Sequence, residues 1–180
     1  MVNLKGSEKR SYVADMFSRI SQRYDVMNTL MTFGMDRRWR KTAAQVAAET
    51  FDGAALDIAT GTGALALELG HVDTFTKVVG IDLVESMITQ AAKKADDSTK
   101  TSFVMGDALS LPFPDESFSC VTSAFALRNM PDLELALEEM IRVVKQGGKI
   151  VTLETMPMAE GILRPIIQRY FRNVVPVLGA

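Results

Sequence analysis

Residues 54–69 read Ala-Ala-Leu-Asp-Ile-Ala-Thr-Gly-Thr-Gly-Ala-Leu-Ala-Leu-Glu-Leu, and this stretch decides the fold class. Ala54 to Ala59 is a short apolar run, Thr60 to Gly63 a glycine loop, and Ala64 to Leu69 a helical stretch. A strand that ends in glycines and opens a helix is the first half of a βαβ unit. The same alternation continues downstream. Lys77 to Ile81, Ser102 to Met105, Phe118 to Ala124 and Lys149 to Glu154 read as strands. Glu85 to Lys94 and the segment from Asp132 to Val144 read as helices, with Asp132 as a cap and Gly147-Gly148 as the turn into the fifth strand. The expected fold is α/β, a doubly wound, mostly parallel sheet of five strands. Its ligands belong at the carboxyl ends of the strands.

Upstream, Val13, Met16, Phe17, Ile20, Tyr24, Met27 and Met31 recur at spacings of three and four, one apolar helix face. Phe33-Gly34 interrupts it, and Asp36 is read as the N-cap of a second helix carrying Trp39, Ala43, Val46 and Ala47. The 180 residues therefore divide into a helical cover (1–50), a core (54–154) and a C-terminal helical segment (155–180) of one domain. A hydrophobic share of 47% and a charged share of 23% are those of a soluble globular chain. The net charge of -2 gives no electrostatic reason to bind nucleic acid. Cys120 alone cannot form an internal disulfide, and no apolar run is long enough to span a bilayer or lead secretion, so a cytoplasmic protein is expected. The 11 methionines fill an irregular core or form pliable walls for a bulky apolar ligand.

Gly61-Thr62-Gly63 alone is a weak signal. With Ala66 it also satisfies the dinucleotide pattern, and Asp82, 19 positions beyond Gly63, stands where a ribose-binding acid belongs. NAD and S-adenosyl-L-methionine both carry that ribose, so Asp82 does not choose between them. Asp57 and Asp107 do. A carboxylate ahead of the glycines repels a pyrophosphate but suits an ammonium group. Asp107 can accept from an adenine amine, with the Ala108 N–H facing a ring nitrogen. Three acids at three successive strand ends point to the methyl donor, whose spent form is S-adenosyl-L-homocysteine. A metal reading lacks any His or Cys ligand nearby, so none is expected. The donor contacts read from these positions are Asp57, Ala59, Thr60, Gly61, Thr62, Gly63, Asp82, Leu83, Met87, Gly106, Asp107, Ala108 and Ala124.

Several longer segments carry a resemblance. They are residues 17–28 (Phe-Ser-Arg-Ile-Ser-Gln-Arg-Tyr-Asp-Val-Met-Asn), Gly106-Asp107-Ala108, Leu111 to Phe118, Phe125-Ala126-Leu127-Arg128-Asn129, and Arg142 to Gly148. With them the chain resembles the UbiE/COQ5 family of quinone-biosynthesis C-methyltransferases over nearly its whole length. The resemblance implies methylation of a ring carbon in a lipid-tailed quinol, such as demethylmenaquinol. It implies that Thr62, Asp82, Asp107 and Ala108 touch the donor, and that Tyr24, Arg128 and Asn129 shape the catalytic site. A ring carbon becomes nucleophilic when a neighbouring hydroxyl loses its proton, so Arg128 is expected to stabilise the phenolate, with water as the base. Asn129 orients that water, and Tyr24 closes over the donor. Without the resemblance, Arg128 reads first as an exposed partner of Asp132.

The chain departs from the family at Ala64, where an acid is usual, at Ala124, where a serine is common, and at Leu178-Gly179-Ala180, where relatives continue through two more strands. Two of the usual seven strands are expected to be missing, which opens a second reading, a donor-binding scaffold without turnover. The fifth strand would then be an exposed edge able to pair with a second copy. A third reading is a methyltransferase for a different small acceptor. Residues 162–172 mix arginines with large apolar side chains, the composition of a helix lying on a membrane surface or covering the acceptor pocket.

Overall fold

The computed structural model describes residues 6–96 and 100–155, so residues 155–180, read above as helical, and with them 162–172, lie almost wholly outside it. Three helices lead, α1 (Gly6–Ile20), α2 (Tyr24–Met31) and α3 (Met35–Ala48). Then follow β1 (Gly53–Ile58), α4 (Ala64–Gly70), β2 (Phe75–Asp82), α5 (Glu85–Lys94), β3 (Thr101–Met105), β4 (Phe118–Ala124), α6 (Leu133–Val143) and β5 (Val144–Leu153). The five strands form one parallel sheet in the order β3-β2-β1-β4-β5. This is a Rossmann-like parallel sheet, and the doubly wound expectation holds.

Alternate side chains of the central strands feed two cores, as a sheet covered on both faces requires. Leu56, Ile58, Val79, Ile81 and Val121 pack with Ala136, Met140 and Val143 of α6. Ala55, Val78 and Cys120 point the other way, against Ala43, Ala44 and Ala47 of α3 and Leu65, Ala66 and Leu69 of α4. Cys120 and most of the central strand are sealed from solvent, which settles Cys120 as a core residue. Full burial of Leu56 or Ile58 contributes roughly 1.5–3 kcal/mol each.

Three local expectations need correcting. The apolar stripe from Val13 to Met31 is two helices, not one. The chain turns at Ser21–Arg23, where the buried Ser21 hydroxyl donates to the Ser18 carbonyl at 3.0 Å and Phe17 meets Tyr24 edge-on with ring centroids 5.7 Å apart. The cap of α3 is Gly34, whose φ of 76° turns the chain, while Asp36 lies inside the first turn and pairs with Arg40. Gly147-Gly148 does not precede β5 but lies within it. The register against β4 slips between Phe118 and Cys120, so these glycines form an irregularity in a strand that already pairs at Val144. Asp132 does cap α6, accepting from the Leu135 N–H at 3.1 Å.

Candidate active site

The strand order reverses between β1 and β4, and at that switch point the carboxyl ends of β1, β2, β3 and β4 open on a cavity of roughly 100 Å³. Two non-glycine residues at its rim sit in the left-handed region, Ala59 after β1 (φ 50°) and Phe125 after β4 (φ 59°). Such backbone strain is held in place by surrounding structure and clusters at functional sites. The cavity floor is Gly61, Asp82, Leu83, Met87, Gly106, Asp107, Ala108 and Ala124. Val13, Ala14, Phe17 and Tyr24 of the N-terminal helices roof it, and Asn129 stands in its wall.

A smaller recess adjoins it on the other side of the glycine turn. Tyr24, Ala59, Gly61 and Ala124 border both spaces, while Arg40, Asp57, Thr60 and Thr62 border the recess alone.

The two glycines of the turn do different things. A side chain on Gly61 would meet only a Tyr24 ring atom at 3.8 Å, so its backbone is open to a ligand. A side chain on Gly63 would collide with Phe103 at 2.6 Å, so this glycine serves packing and its φ of 79°, and it borders neither space. The turn is fixed by Asp82, whose carboxylate accepts from the Gly61 N–H at 2.8 Å and the Val84 N–H at 2.9 Å. Burial raises its pKa against those two bonds.

Asp57 is almost completely buried. Thr60 Oγ1 donates to it at 2.6 Å and Thr122 Oγ1 at 2.7 Å. Desolvation nevertheless pushes its pKa up from 3.8 to about 6, because the hydroxyls and the nearby Arg40 charge offset only part of the cost of burying a carboxylate.

Other expected site residues are engaged with neighbours. Asp107 receives Arg10 of α1 at 2.9 Å and the Leu109 N–H at 3.0 Å. Thr62 donates to Asp25 of α2 at 2.5 Å, and Lys94 of α5 bonds both Asp25 and the Thr62 carbonyl. Arg128 lies outside the cavity wall, donating to Glu154 and to Thr155 at 2.8 Å each. That carboxylate, rather than Asp132, is its partner. Among the described residues, the Asn129 side chain donates back to the Phe125 carbonyl, at 3.5 Å.

Sequence reasoning missed Arg10, Arg40 and Phe125. Arg40 and Asp36 at i and i+4 were a readable ion pair, but nothing in the spacing placed the pair beside β1.

The model of the ubiE/COQ5 methyltransferase family matches residues 4–180. A demethylmenaquinone methyltransferase of Desulfitobacterium hafniense is 40% identical over 99% of this chain and 72% of its own length. Another, of Thermus thermophilus, is 44% identical over 91% of this chain and 75% of its own. Among solved structures, the Haemonchus contortus phosphoethanolamine N-methyltransferase, held with phosphoethanolamine and S-adenosylhomocysteine, superposes with a TM-score of 0.68 over 88% of this chain and 37% of its own. At 18% identity that likeness speaks for the fold alone.

Proposed function

The chain belongs to the ubiE/COQ5 methyltransferase family, and on that premise we propose that it methylates a ring carbon of a lipid-tailed quinol of the demethylmenaquinol type, with S-adenosyl-L-methionine as donor. The observation that carries the donor is the pairing of two carboxylates, Asp82 and Asp107, in one largely apolar cavity at adjacent strand ends. Carboxylates there accept from ribose hydroxyls and an adenine amine and repel a pyrophosphate. Ala108, Leu83 and Met87 would flank the base, Gly61 would lie along the chain of the donor, and the recess at Asp57 would take its charged end. Bound there, the donor supplies an electrophilic methyl group.

The protein's part is to position the acceptor and ease the loss of its hydroxyl proton. Tyr24 closes the roof, and Asn129 offers an amide to the quinol or to the water that takes the proton. Arg128 serves as the counter-charge to the phenolate by exchanging Glu154 for the substrate oxygen, a swap of one oxygen anion for another at a pair whose guanidinium is half-exposed. The lipid tail places the work at a membrane surface, although no helix among the described residues is long and apolar enough to cross one. β5 pairs only with β4 among the described strands, so its outer edge is the candidate contact for a second copy.

The test is a methyl-transfer assay with a short-chain demethylmenaquinol, run beside Arg128→Ala. Turnover is expected to fall about 100-fold or more in the variant while affinity for S-adenosyl-L-homocysteine changes less than about threefold. Equal losses in both would remove Arg128 from catalysis. Tight donor binding with no transfer to any quinol would leave the scaffold reading in place of the enzyme.

A further inference from the structure

Phe33 is the most exposed large apolar side chain among the described residues, at 70%, and stands at the corner between α2 and α3. Its φ is 52° and that of Gly34 is 76°. The Gly34 N–H reaches back to the Thr29 carbonyl at 2.7 Å, which closes the end of α2. The left-handed position at such a helix end ordinarily takes glycine, because a side chain there is strained. Glycine would serve this turn better, and burial in the core does not account for the ring. The phenylalanine therefore points to a contact outside the chain.

Its surroundings extend the pattern. Val26 and Leu30 are one helical turn apart on α2 and both exposed, and Met35, half exposed, opens α3 on the other side of the corner. Residues 19–41 hold six cations and two acids, in a chain whose net charge is -2. Asp25 is held by Lys94 and Asp36 by Arg40. The exposed cations Arg19, Arg23, Arg37, Arg38 and Lys41 therefore set the sign of this surface. Exposed apolar side chains rimmed by cations complement a layer that is anionic outside and apolar beneath. Tyr24, which roofs the cavity, precedes Val26 by two positions, about 200° round the helix. The same short helix thus borders the cavity on one face and carries the apolar strip on the other.

We propose that the α2–α3 corner is the docking surface for an anionic bilayer. Phe33, with Val26, Leu30 and Met35, enters the interfacial layer, and Arg23, Arg37 and Arg38 meet the lipid phosphates. Its purpose rests on the lipid-tailed acceptor proposed above, since docking at α2 brings the cavity to the layer in which such an acceptor dissolves.

Flotation of the full chain with vesicles tests it, using phosphatidylcholine alone and phosphatidylcholine with phosphatidylglycerol in equal parts. Wild type is expected to partition at least about 10-fold more strongly to the anionic vesicles, and to lose that preference as salt is raised. Phe33→Gly relieves the strained turn, so its circular dichroism should match wild type, while its partitioning falls by about 5- to 20-fold. Arg37→Gln with Arg38→Gln should lose about 10-fold on anionic vesicles and little on neutral ones. Variants that bind as wild type does would overturn the assignment, and so would a wild type that binds neither vesicle. Self-association lost in Phe33→Gly, without vesicle binding, would overturn it in favour of a second copy. Neither donor nor quinol is present, so a failed surface leaves the methyl-transfer reading standing, and a chain without turnover leaves the surface standing.

Discussion

Asp57 pays for its position in stability. The folded protein holds a proton on it up to about pH 6, whereas the unfolded chain releases one near 3.8. Between those values the native state binds more protons, so stability falls as pH rises, and the favourable contribution is whole only below about 3.8. The rise corresponds to a cost on the order of 3 kcal/mol above pH 6, at about 1.4 kcal/mol per tenfold. Asp57→Asn should therefore melt several degrees higher than wild type at pH 7.5 and show no such gain at pH 4. It should also bind S-adenosyl-L-homocysteine more weakly. A variant no more stable than wild type at pH 7.5 would mean that Thr60 and Thr122 already offset the burial. At this scale the sequence showed which acids cluster, because strand ends and acid spacing are local facts. It did not show that Thr62 and Arg128 are turned toward Asp25 and Glu154, since those partners lie 37 and 26 positions away. Nor did it separate Gly61, which faces only Tyr24, from Gly63, which lies against Phe103 of β3 and Ala91 of α5.

Polar contacts tie α1 and α2 to the rest of the fold. Asp25 of α2 is gripped by Thr62 and Lys94, Arg10 of α1 by Asp107, and the Lys9 ammonium donates to the Met130 carbonyl at 2.5 Å. Exposed pairs of this kind contribute about 0–1 kcal/mol each, so the two helices should open locally far below the global unfolding free energy. Asp25→Ala removes the contacts to both Thr62 and Lys94. It should speed amide exchange in residues 6–31 by roughly 3- to 10-fold and leave β1 and β4 unchanged, as read by hydrogen–deuterium exchange. Uniform acceleration across the sheet would show that α2 is part of the cooperative core instead. The break between α1 and α2 escaped the sequence because apolar spacing runs on through it with neither glycine nor proline at residues 21–23. Gly147-Gly148 escaped for the opposite reason. Paired glycines read as a turn, yet a side chain on Gly148 would meet the Lys145 and Ser119 carbonyls at 2.8 Å, so the residue lets two strands approach within a bulge.

Across the whole molecule, alternation of strand and helix together with right-handed crossovers made the doubly wound sheet readable from composition and period alone. What the sequence left open was how far separated segments meet. Residues from α1, α2, the glycine turn, β2, the loop after β3 and the end of β4 all border one pair of joined spaces. A ligand filling both would tie the N-terminal helices to four strands at once, contacts that the unfolded chain cannot offer. Binding should therefore raise the stability of the entire fold by mass action, by about 2.7 kcal/mol when the ligand stands at about 100 times its Kd. For a chain of 180 residues that is a rise of roughly 5–10 °C in melting temperature. S-adenosyl-L-homocysteine should produce it, with protection from exchange gained in α1 and α2 as well as at the strand ends. NAD at the same concentration should not, because its pyrophosphate would have to pass carboxylates at Asp57, Asp82 and Asp107. An equal shift with NAD would mean that the joined spaces read only the adenosine common to both ligands, and that the acids at the strand ends do not discriminate between them.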